Sequence, residues 1–156
     1  KVVEKKKTKI FIPANKKTKK DKYIKAYEQI IYFMLNNDWV ITQVEHERLI
    51  FPNEVMRATC SEIIYYYKKY GNINVADFYT YIQDKEDILN FLNSILVEKY
   101  MDTTSKEELV LYFNVTRKYI ELQEIKRLTN LMKKEIDPLE QAKISEKIRK
   151  LRLGDS

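Results

Sequence analysis

The sequence predicts an all-α protein: a bundle of about six helices, linked by one long helix to a C-terminal antiparallel helical hairpin. Three observations predict it. With Gly 2 and Pro 3 in 156 residues, the chain lacks the glycine that sheet-rich folds and phosphate-cradling loops use freely. Apolar residues recur every three or four positions through most of the chain after residue 22. Finally, the stretch Ser105 to Ile136 carries two apolar stripes on opposed faces of one helix.

That stretch organises the rest. Ser105 followed by Glu108 is a capping-box start, and nothing stops the helix before Pro138. Its 32 positions would span about 48 Å at about 1.5 Å per residue, too long for one compact bundle of this size. At about 100° per residue, Leu109, Tyr112, Phe113, Thr116 and Ile120 share one stripe. A second stripe, Leu122, Ile125, Leu128, Met132 and Ile136, lies roughly opposite. Two opposed apolar faces need two bodies to cover them. The division expected is a basic linker or arm over 1–22, a bundle over 23–120 and a hairpin over 121–153, with the helix 105–136 shared.

The remaining elements follow in order. Lys1 to Lys20 is lysine-rich, with an apolar patch at Ile10, Phe11 and Ile12 before Pro13. It reads as a solvated tether, with weak contact to nucleic acid as the alternative; a first residue other than methionine suggests an excised fragment. Tyr23, Tyr27, Ile30, Ile31, Met34 and Leu35 form the buried stripe of the first helix. Asp38 is the expected cap of a second helix carrying Trp39, Val40, Val44 and Leu49. After Phe51-Pro52-Asn53, a third carries Val55, Met56, Thr59, Cys60, Ile63, Ile64 and Tyr67, until Gly71 closes it. Asn74 with Asp77 caps a short helix with Val75, Phe78, Tyr79 and Ile82. Asp84 with Asp87 is expected to cap another with Ile88, Phe91, Leu92, Ile95 and Leu96. Asp137-Pro138-Leu139-Glu140 starts the last helix, which presents Leu139, Ile144, Ile148 and Leu151 and ends before Gly154.

Charge divides the chain more sharply than its net +6 suggests. Residues 1–25 hold 11 lysines against Glu4 and Asp21, while residues 26–116 hold 14 acidic groups against 7 basic. Residues 117–153 are basic again, with 11 cations against 6 carboxylates. Such asymmetry suits different contacts for different parts. No apolar run approaches the roughly 20 residues of a membrane span. The single cysteine, Cys60, forms no internal disulfide, which suits a reducing cytoplasm, and its place beside an apolar stripe marks it as a small buried hydrophobe.

Chemistry-bearing constellations are missing from the pattern, so no catalytic, cofactor or metal residue is assigned. His46 is the only histidine, and adjacent helix positions in Glu45-His46-Glu47 do not face a common ion. Paired cysteines, a Ser-His-Asp set and a glycine loop before lysine are absent. Acid pairs such as Glu107-Glu108 and Glu86-Asp87 sit in first helical turns, where the dipole favours them. The run Tyr65-Tyr66-Tyr67 with Lys68, Lys69 and Tyr70 is read as partly buried core rather than a base-stacking platform. The basic face Lys143, Lys147, Arg149, Lys150 and Arg152 is ordinarily a solvated face.

The order and lengths of these helices resemble the C-terminal, helicase-binding region of bacterial DnaG-type primase in its Gram-positive form. The resemblance spans roughly Tyr23 to Leu153. It rests on the opening helix Tyr27-Glu28-Gln29-Ile30-Ile31-Tyr32-Phe33-Met34-Leu35, on the Phe51 break before a helix ending Tyr66-Tyr67-Lys68-Lys69-Tyr70-Gly71, and on the closing helix Glu140-Gln141-Ala142-Lys143-Ile144-Ser145-Glu146-Lys147-Ile148. In that family the fold is a bundle joined through a long helix to a hairpin. The region makes no primers; it docks primase onto the N-terminal collar of the hexameric DnaB-type helicase, chiefly through the hairpin, and modulates helicase activity at the replication fork. The basic leader would connect to the RNA polymerase domain, whose catalytic acids and zinc ligands lie elsewhere, so no cofactor is expected in this fragment.

The resemblance implies that Leu128, Leu131, Met132, Ile144, Ile148 and Leu151 include both hairpin core and contact positions. Leu131, off the second stripe, is the expected exposed anchor. Lys134, Arg149 and Arg152 would set on-rate and orientation more than affinity. The helicase's own N-terminal domain has a similar bundle and hairpin, and is one alternative; the lysine-rich leader and the ending near Leu153 favour primase. A basic helical module binding nucleic acid is the other.

Overall fold

The computed structural model describes residues 21–154, and every secondary-structure element among them is helical. The helices are α1 (Lys22–Asn36), α2 (Asp38–Glu47), α3 (Glu54–Tyr70), α4 (Val75–Tyr81), α5 (Glu86–Leu96), α6 (Lys106–Lys134) and α7 (Pro138–Leu153). The lysine-rich leader and its expected role lie outside the described residues.

α1 is the axis of the bundle. It begins where the Asp21 carboxylate accepts a hydrogen bond from the Tyr23 amide at 2.8 Å. The sequence predicts one buried stripe, yet Ala26 to Ile31 and Phe33 to Leu35 are all buried, Glu28 and Gln29 included. A polar side chain enters such a core only with its bonds made. Glu28 accepts from the Tyr100 hydroxyl at 2.7 Å. Gln29 donates to the Met101 carbonyl at 2.9 Å and accepts from the Met101 amide at 3.0 Å. The loop leading into α6 is thereby fastened over α1.

Two caps differ from expectation. Asn37, not Asp38, caps α2, and without a side-chain bond to that helix. The Asn37 amide group donates instead to the carbonyls of Phe33 at 2.9 Å and Asp102 at 2.7 Å. That fixes its backbone extended and leaves Asp38 as the first helical residue. α2 stops at Glu47, so Leu49 lies beyond it; Arg48 at φ 51 closes the helix, the one non-glycine residue with positive φ among those described. Likewise Lys85, not Asp84, caps α5, because a turn from the Ile82 carbonyl to the Lys85 amide at 2.8 Å sets that start. Ile82 sits just past the end of α4 but is fully buried.

The other boundaries fall as the residues predict. Asn53 accepts from the Met56 amide at 3.0 Å, and Gly71 at φ 80 ends α3. Asn74 accepts from the Asp77 amide at 2.8 Å and donates back to its carboxylate at 2.7 Å. Cys60 is buried, and burial pushes its thiol up to about 12, which leaves it protonated at neutral pH. Tyr66 packs onto the core against Phe78 and Tyr81, while Tyr65 and Tyr70 stay exposed.

α6 runs unbroken for 29 residues and opens on the full Ser105/Glu108 capping box. It ends at Lys134, so Ile136 is not helical. Its first half buries Leu109, Phe113 and Thr116 in the bundle core, with Tyr112 edge-on to Phe33 and Tyr119 edge-on to Tyr27. Its second half buries Ile125 and Leu128 against Ile144 and Ile148 of α7, with Met132 and Leu151 packed alongside. These four residues form a hydrophobic core separate from that of the bundle.

Candidate protein-docking surface

The hairpin begins with local chemistry. Asp137 accepts from the Leu139 amide at 3.0 Å, Pro138 occupies the first helical turn and Gly154 at φ 80 ends α7. The side-chain amide of Gln141 donates to the Glu135 carbonyl at 2.7 Å, so α7 caps the C-terminal end of α6 and sets the turn. A residue before a helix cap often staples to the fourth helical position. Here that position is Gln141, already committed to the turn, so Ile136 has no apolar partner there.

The structure therefore sorts the predicted site residues into two groups. Leu128, Ile144 and Ile148 are buried between the two helices and are not available as free contacts, whereas Met132 and Leu151 pack alongside them and stay half-buried. Leu131 is 45% exposed, in keeping with its place off the stripe. Lys134 and Arg152 are exposed and make no ion pair with the described residues, whereas Arg149 donates from Nε to Glu146 at 3.1 Å. Lys143 is likewise held by Glu140 at 2.9 Å.

Two exposed apolar residues escaped the sequence pattern. Ile136, placed on the second stripe, is 89% exposed, and Leu139, placed on the α7 stripe, is 64% exposed. Leu122 also leaves the stripe for solvent. The signal for the first pair was present: a cap at Asp137 takes Ile136 out of the helical register, and Leu139 then sits in the first turn, beyond the reach of the α6 stripe. Leu131 in the last turn of α6, Ile136 in the connecting turn and Leu139 in the first turn of α7 are thus exposed apolar side chains, with Lys133 and Lys134 between them in sequence. Apolar centres with charged surroundings are what a protein interface requires.

Elsewhere, the side chains singled out for chemistry do not converge. His46 is exposed with Nδ1 3.4 Å from Glu47, and Glu45 turns away to Lys68 at 2.5 Å. Among the described residues no group of three His, Cys, Asp or Glu is placed to hold a metal ion, and no helix is long and apolar enough to cross a membrane. No family model, curated protein or solved structure matches the chain.

Proposed function

We propose that this chain is a non-catalytic docking module, the helicase-binding region of a DnaG-type primase, acting in the bacterial cytoplasm at the replication fork. Its partner is the N-terminal collar of the hexameric DnaB-type helicase. The observation that carries the reading is a hairpin with its own core that leaves Leu131, Ile136 and Leu139 in solvent at its turn. Among the described residues those side chains join neither hydrophobic core. A groove on a partner that buries them gains about 1.5–3 kcal/mol for each large aliphatic group fully removed from water, and Lys133, Lys134 and Arg152 orient the encounter.

Co-elution with the purified helicase tests this. The unaltered chain is expected to travel with the ring, and Leu131→Asp combined with Ile136→Asp to release it without lowering the melting temperature. Undiminished co-elution of that variant rejects the hairpin contact. Salt separates the nucleic-acid reading: a phosphate-binding module loses affinity steeply between low and moderate salt, whereas an apolar dock holds.

A further inference from the structure

The loop between α2 and α3 offers a second surface. Phe51 turns into the core, but Ile50 next to it is 60% exposed and forms a ridge between two open depressions. One, of about 410 Å³, lies toward the hairpin and is lined by Leu49, Ile120 and Leu151. The other, of about 380 Å³, lies toward α3 and is lined by Val44, Cys60 and Ile64.

Charge bookkeeping around the ridge is one-sided. The carboxylates beside it are already matched: Glu45 by Lys68 at 2.5 Å, Glu47 by Arg117, Glu121 by Lys118 at 2.7 Å and Glu124 by Arg127 at 2.8 Å. Among the described residues Arg48 makes no ion pair, and the Arg57 guanidinium donates only to the Phe51 carbonyl, at 3.0 Å. Arg48 lines both depressions and Arg57 the one toward α3. Apolar floor plus surplus guanidinium fits an apolar side chain flanked by carboxylates. Leu151, in the last turn of α7, places this surface at the base of the hairpin, at the other end of α7 from Leu139.

We propose that the Arg48–Ile50 ridge is a second contact of this chain with the partner its hairpin engages, seating an acid-flanked apolar helix of the collar. The identity of that partner rests on the reading above. Two linked contacts raise the effective concentration of each for the other.

Binding of the full chain to the helicase is measured for Ile50→Asp, Arg48→Gly and Leu131→Asp. Ile50→Asp should weaken it about tenfold, as loss of an apolar anchor does, and Arg48→Gly about threefold. Glycine takes φ 51 freely, so Arg48→Gly should leave the melting temperature unchanged or raise it; a merely structural arginine would show that gain with no loss of affinity. Unaltered affinity in both ridge variants overturns the proposal, whatever Leu131→Asp does. Weakening by both with Leu131→Asp unchanged keeps the ridge and removes the hairpin. No binding by the unaltered chain overturns both readings. A chain that dimerises alone, and becomes monomeric with Ile50→Asp, assigns the ridge to a second copy and also overturns it.

Discussion

In the bundle, Ile30, Ile31, Phe33, Met34 and Ile63 are completely shielded from water, whereas the buried side chains of the hairpin retain between 4% and 9% of their exposure. The two regions share α6 and differ in how many neighbours cover each apolar group. In the bundle a side chain is enclosed by several helices; in the hairpin it meets one facing helix and then solvent. Elements that must meet a partner are drawn from the less stable end of a fold. The hairpin's thin core and bare turn belong together in that sense.

The widest gap between the regions should show on truncating one core residue in each. Ile63→Ala should lower global stability by about 3–4 kcal/mol, read as a cooperative loss in denaturant melts. Leu128→Ala should instead release amide protection over α7 and the end of α6, with bundle protection retained in hydrogen exchange. Loss of bundle protection as well would show that the regions melt as one. Gln29→Ala comes next, at about 2 kcal/mol, because it orphans both the amide and the carbonyl of Met101. Ser105→Ala should cost about 1 kcal/mol, with fraying at the start of α6 and an unchanged hairpin.

The smallest effect is on acidification. Arg127 beside Glu124 and Arg149 beside Glu146 hold those carboxyls below their ordinary value. Each therefore favours the folded hairpin above the unfolded pKa of about 4.3, and that contribution is lost as pH falls through the lower folded value. Hairpin amide exchange measured from pH 6 to pH 3 should quicken below about pH 4; both pairs are exposed, so the change is slight.

Much of this architecture was legible in the residues, and the reason is locality. The Ser105/Glu108 box, the Asn74/Asp77 pair, Gly71 and Asp137-Pro138 each act within a few positions, so spacing alone reveals them. The change of face along α6 was legible too, because it is a property of one helix. Asn37 displaces Asp38 as the cap because its side chain is held by Asp102, 65 positions away. Lys85 displaces Asp84 through the Ile82–Lys85 turn, which is local but made by backbone groups that leave no mark in the side-chain pattern. The exposure of Ile136 and Leu139 could be read only by following the Asp137 cap rather than the stripe, and that of Ile50 had no local signal at all. Periodicity reports which residues would suit a core, but whether a neighbour reaches them is settled by the turn and by where α2 stops.

The shared helix has one more consequence. Each residue in it turns the chain by about 100° and lifts it by about 1.5 Å, so the number of positions between Thr116 and Ile125 works as a dial, setting the compass bearing at which the claw leaves its base. Point changes on the solvent side there leave the bearing alone. A single insertion or deletion swings the claw about a quarter of a circle, with every packing residue still in place.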